Sequence, residues 1–245
     1  MTKNYNLTIV KDGEIYNIPV EWERKKRKNL ILRVYPKTAR VLFSMPTRTP
    51  EEYAQAFFEN NKPWLKKQLE NILPLSKGHE YLEGEEFYYF GEKLSLEVLC
   101  GKKNRLQVSG NKLLLEEKHG SNQEDRKMVI EKALEKELAG FLQKSFTRIL
   151  EIYRPFLNLK REPTFKLRKM TSKWGICRPF RNEITFSKRL VHVAPELIDY
   201  VVAHELCHFG FLDHSPQFWQ LLQSKMPDCR QRRVQLNKMH LLIDL

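Results

Sequence analysis

The 245 residues carry 43 Lys and Arg against 30 Asp and Glu, a formal charge of +13, and 41% are hydrophobic. That length can bury a core without disulfide or metal staples, and no stretch approaches the roughly 18 apolar residues a membrane span needs. The start MTKNYNLTIVKDGEIYNIPV lacks the apolar centre of a signal peptide, so a cytoplasmic protein is expected.

The first ~45 residues read as β-structure, with Val, Ile, Leu and Tyr between turn-like breaks, and Pro46 ends it. TPEEYAQAFFENNKPWLKKQLENIL follows, with Thr49 placed as N-cap, Pro50 at the first helical position, and Glu51 and Glu52 in the first turn. Pro63 interrupts the apolar stripe, which predicts two short helices. A second strand-rich piece, EYLEGEEFYYFGEKLSLEVLCGKKNRLQVSGNKLLLEE, has Gly84, Gly91, Gly101 and Gly110 at spacings suited to hairpins. The polar KHGSNQED reads as a linker, and a boundary near residue 120 divides a β-rich region, 1–120, from a second domain, 121–245.

Beyond that boundary, Ile130, Leu134, Leu138, Leu142 and Phe146 recur four apart, which predicts a long helix over roughly Arg126 to Leu157. Two strands are expected at Phe165–Met170 and Glu183–Phe186, joined by a loop holding Ser172, Trp174 and Gly175. Pro195 then starts a helix, with Glu196 in its favourable first turn.

That helix carries VVAHELCHFGFLDHSPQFW. His204 and His208, four apart, project from one helical face within reach of a single ion, and Glu205 sits beside them. Gly210 is placed to end the helix through a positive φ, and His214 stands at a corner before Ser215 and Pro216, from which it can point back as third ligand. Three neutral imidazoles leave one position open, the pattern of a catalytic rather than a structural zinc site. Glu205 would then serve as general base and afterwards as acid. The structural alternative, hydrogen-bonded core histidines, leaves Glu205 buried without a partner at a cost of several kcal/mol.

Other candidates are weaker. His192 reads as a loop histidine able to reach the substrate side, while His79, His119 and His240 read as bystanders. Asp213 is either solvated or orients a ligand imidazole. Arg230, Arg232 and Arg233 form a basic helix face or hold a substrate anion. The run ERKKRKN reads as a nucleic-acid patch or as a guard on a strand edge. The positive charge fits an anionic partner such as nucleic acid, a nucleotide or an acidic peptide, and equally a merely solvated basic surface. Cys100, Cys177, Cys207 and Cys229 form no C-x-x-C pair, and each is expected as a small buried hydrophobe.

The segment TSKWGICRPFRNEITFSKRLVHVAPELIDYVVAHELCHFGFLDHSPQFWQLLQSKMPDCRQRRVQLN resembles the YgjP-like (DUF45) family of zinc metallopeptidases, related to the WLM and SprT-like proteins. The likeness extends to the N-terminal segment from Ile18 to Glu70. An S-x-W-G-x-C signature stands here as Ser172, Trp174, Gly175 and Cys177, with Ile176 where a small polar residue is more usual. The resemblance implies an α+β fold in which a β-rich N-terminal region precedes a zincin-like, mainly helical domain with a small sheet. It also implies one zinc ion on His204, His208 and His214, Glu205 as catalytic acid/base, and a peptide or protein substrate. By analogy with zincins, an extended peptide would pair with an edge strand, for which Glu183–Phe186 is the candidate. Two other functions fit the charge: hydrolysis of a non-peptide substrate such as a nucleoside triphosphate, and a nucleic-acid-tethered protease.

Overall fold

A computed structural model describes residues 3–11, 14–35, 40–72, 79–170 and 172–242. The chain divides into two compact units, Met1–Gly78 and His79–Ile243. Together the described residues form a mixed α/β structure with five α-helices and three small sheets.

In the first unit, strands β1 (Lys3–Lys11), β2 (Glu14–Lys25), β3 (Ile31–Tyr35) and β4 (Arg40–Pro46) form a sheet of order β1-β2-β4-β3. Helix α1 (Glu51–Ile72) covers it. It is one helix rather than two, although Pro63 lies inside it. Proline removes one backbone bond at a cost of about 3 kcal/mol. Yet Ala54 and Phe58 before it and Leu65 and Leu69 after it stay in one buried stripe against Val41, Phe43 and Met45, and that shared burial outweighs the loss. The Ala54 N–H bonds the Pro50 carbonyl, so α1 starts one residue later than expected.

The basic run starts inside this sheet. β2 pairs with β1 only as far as Trp22, whereas Glu23, Arg24 and Lys25 at the start of the run pair with β4. Arg24 donates to the Thr47 and Thr49 carbonyls at 3.2 and 2.7 Å, tying the end of β2 to the approach of α1.

The second unit begins with β5 (Glu86–Tyr89), β6 (Glu92–Gly101), β7 (Arg105–Ser109) and β8 (Lys112–Lys118), in the order β5-β6-β8-β7. Gly91 and Gly110, with φ of +88° and +58°, turn the β5–β6 and β7–β8 hairpins. The divide between units falls at residue 78 rather than near 120 because this sheet belongs to the second core. Leu94, Leu96, Leu113 and Leu115 are buried with Ile130, Leu134 and Leu138 of helix α2 (Gln123–Tyr153). The supposed linker is a helix cap: the Asn122 side chain accepts from the Asp125 N–H, and the Asp125 carboxylate accepts from the Asn122 N–H.

The compact unit His79–Ile243 therefore holds two sheets, the second of which is the small sheet expected beside the helices of residues 121–245. Its second is formed by β9 (Thr164–Arg168), β10 (Gly175–Arg178) and β11 (Glu183–Ser187), in the order β10-β11-β9. β10 lies where a loop was expected. β11 runs parallel to β9 and antiparallel to β10, so it is the central strand and offers no free edge; the edge role read for Glu183–Phe186 passes to β10. Helices α3 (Pro195–Cys207), α4 (Pro216–Lys225) and α5 (Cys229–Leu242) complete the unit.

Candidate metal centre

Leu197, Ile198, Val201, Val202, Ala203 and Leu206 bury α3 on nearly every side, so its histidines are fixed by the core around them. The helix ends at Cys207. Gly210 contributes by close approach rather than by a positive φ: a Cβ there would meet the Phe156 carbonyl oxygen at 3.1 Å. The chain then turns, and Ser215 caps α4 by accepting the Phe218 N–H. Asp213 accepts the Ser215 N–H at 3.2 Å, which shapes the corner that carries His214 instead of orienting a ligand ring.

The corner brings His214 back onto α3. One ring nitrogen each from His204, His208 and His214 lies within 4.8 Å of the other two, the only grouping of three possible ligands of this kind among the described residues. The Nε2 atoms of His204 and His214 are 2.9 Å apart. His208 points its Nδ1 at the Phe211 carbonyl, 3.0 Å away, which holds the proton there and leaves Nε2 as a lone-pair donor. Phe218, fully buried, stands 4.9 to 5.0 Å from all three imidazole rings and props them apart from the core.

Protonated imidazoles would repel here. Burial, then the neighbouring His208 and His214, pushes His204 down to about 3. His208 is lowered mainly by burial, against the pull of the Phe211 carbonyl. His204 Nδ1 is moreover buried without a hydrogen-bond partner among the described residues. Neutral, crowded nitrogen donors suit a divalent cation.

Glu205 is 7% exposed, and burial pushes its carboxyl up to about 7; a backbone hydrogen bond from Cys177 and the charge of Lys173 pull the other way. It packs under β10, where a Cβ on Gly175 would come within 2.6 Å of Glu205 Cγ and Oε1. The S-x-W-G-x-C stretch thus acts through its backbone, laying an edge strand on the carboxylate. Trp174 is held by the buried Arg189, whose guanidinium lies 5.0 Å from the indole centroid.

The remaining candidates lie elsewhere. His192 is buried, with Nδ1 donating to the Tyr88 carbonyl at 2.5 Å, so it clips β5 to the turn before α3 and does not face substrate. His79 stacks on Phe87 at 4.2 Å and pairs with Glu85. His119 sits on the exposed turn after β8, and the side chain of His240 lies outside the described residues. Arg232 is bound to Asp228, whereas Arg233 lies over Trp219. Cys207 and Cys229 are buried as expected, Cys177 is half-buried, and Cys100 is exposed at the end of β6. Tyr200, Phe218 and Trp219, which surround the histidines, were not legible as site residues, because aromatic side chains at helical spacing ordinarily mean core.

Two imidazoles one helical turn apart, a third returned by a capped corner and a buried carboxylate on the same helix fit the class of metal-binding hydrolytic centres. The family model described as the YgjP-like metallopeptidase domain matches residues 28–239, and the chain belongs to that family. No curated protein matches it. Membership implies a metal ion, a hydrolase and a peptide or protein substrate. The expected nucleic-acid or nucleotide partner gains nothing from the match. No helix among the described residues is long and apolar enough to cross a membrane.

Proposed function

We propose that the protein is a zinc-dependent peptidase in which His204, His208 and His214 hold the ion and Glu205 is the catalytic acid/base. The observation that carries this is the convergence of three imidazole donors within 4.8 Å, with a buried glutamate on the helix that carries two of them. When bound, zinc supplies Lewis acidity, polarising a carbonyl and bringing the acidity of water toward neutrality.

The chain's own groups do the rest. The Glu205 carboxylate removes a proton from the attacking water and delivers it to the departing amine as the C–N bond breaks, a role suited to a carboxyl held near 7. β10 is the free edge nearest that carboxylate, and an extended peptide added to it would pass across Glu205. Phe218 and the surrounding core keep the imidazoles in place through the proton transfers.

Purified protein, analysed for metal and incubated with a reduced, alkylated polypeptide, tests the reading. Glu205→Gln should keep its zinc and lose hydrolysis. Cleavage at the parent rate by that variant would remove Glu205 from the chemistry.

A further inference from the structure

Of the three arginines near the C-terminus, Arg232 is occupied: its Nε meets Asp228 at 2.8 Å and its Nη1 donates to the Glu196 carbonyl at 2.8 Å. These bonds tie α5 to the start of α3. The next residue is placed differently. The Arg233 guanidinium lies 5.0 Å from the centroid of Trp219, and that indole stacks on His214 at 6.0 Å with an interplanar angle of 28° and stands 6.2 Å from His204. One aromatic plate therefore carries a cation to the imidazole cluster. Arg233 is exposed and has no acidic partner among the described residues.

Tyr200 completes this side. It lies one turn before His204 on the same helical face, with rings 5.8 Å apart. The guanidinium over Trp219 and the imidazoles of His214 and His204 thus share one aromatic side chain. A fixed positive charge beside donors suited to a dication is unfavourable until an anion joins them. A guanidinium stacked on indole keeps its fork of donors in plane, the geometry that receives a carboxylate through two parallel hydrogen bonds.

We infer that Arg233 receives a carboxylate of the bound peptide, so that the substrate is cut close to a negative charge. This rests on the peptidase reading and gives it a substrate class. The carboxylate is either the peptide's C-terminus or an Asp or Glu side chain beside the cleaved bond. Arg233 is a substrate-binding residue, and Trp219 positions it.

The test measures binding and turnover separately. Four fluorescein-labelled peptides of one sequence, ending in a free acid or an amide and carrying an internal Glu or Gln, are titrated onto full-length zinc-loaded E205Q protein. Peptides with a carboxylate should bind about tenfold or more tighter than the amide–Gln peptide. Whether the free-acid or the Glu peptide shows the gain identifies the source of the charge. Adding R233Q should abolish the preference without changing zinc content, and R233K should restore part of it. Equal binding of all four peptides, or an undiminished preference in the R233Q background, overturns the inference. Turnover is read with Glu205 present. Cleavage that ignores the carboxylates sinks the role of Arg233 and leaves the peptidase reading standing. Selective binding that depends on Arg233, with no cleavage of any peptide, sinks the peptidase reading instead.

Discussion

Gly175 lies directly against Glu205: a methyl group at residue 175 would occupy a point 2.6 Å from the carboxylate's Oε1. The backbone at Gly175 is not left-handed, so alanine is excluded by the carboxylate rather than by φ. Gly175→Ala should therefore displace the Glu205 head group. Misplacing a reacting group by about 1 Å costs on the order of a hundredfold in rate. We expect hydrolysis to fall by about that factor while zinc content stays the same, as read by peptide turnover and elemental analysis. Full activity in this variant would mean that the carboxylate is not the proton carrier.

Removing His214 separates the donors on α3 from the one on the corner. His214→Ala leaves His204 and His208 in the helix with two nitrogens in place of three, and affinity for zinc should drop by at least ten- to a hundredfold. Competition with a chromogenic chelator measures it. Because His214 is exposed and outside the core, the melting temperature of the metal-free protein should hardly move. An unchanged zinc affinity would turn His214 into a bystander.

Phe218 carries two loads. It is fully buried and touches all three imidazoles. Truncation to alanine should cost about 3–5 kcal/mol of stability and weaken zinc binding. Phe218→Leu should recover most of the stability but little of the ring spacing. Chemical denaturation and chelator competition on the two variants distinguish packing from ligand support, and parallel losses in both would reduce Phe218 to ordinary core.

His192 predicts an acid-labile element outside the metal centre. Burial is the main cause that pushes its imidazole down to about 4, with Arg189 and His79 adding to it and the Tyr88 carbonyl opposing. In the unfolded chain it titrates near 6.5, so below that pH the unfolded state binds a proton that the folded state refuses. Its contribution is intact above about 6.5 and is lost as pH falls toward 4, on the order of 3 kcal/mol over that window. Denaturant midpoints of the parent and His192→Gln, compared at matched pH, should converge on acidification. Parallel curves would show that the ring is free to charge in the fold.

The helical half of the site could be read before any coordinates because its pattern is local. His204 and His208 need only the helix period to meet, and the Ser215–Pro216 corner announces where His214 must turn. The long stripe from Ile130 to Phe146 is legible for the same reason, and Asn122 and Asp125 set the start of α2 where polarity alone suggested a linker. What was hidden depends on partners distant in sequence. The four residues of β10 have no alternation long enough to read, and they become a strand only through β11. Pro63 looks like a break until both halves of α1 find the same sheet. The unit boundary at residue 78 follows from Leu94, Leu96, Leu113 and Leu115 meeting α2, a contact no local window contains. Trp219 and Arg233 become a pair only when α4 and α5 pack.

X-ray absorption at the zinc edge of the purified, zinc-loaded protein tests the central claim most directly. One zinc per chain with three imidazole nitrogens at about 2.0 Å, one of them lost in each of His204→Ala, His208→Ala and His214→Ala, is the predicted result. A spectrum dominated by sulfur, or a nitrogen shell that survives all three substitutions unchanged, would contradict the shared-ion site and the chemistry built on it.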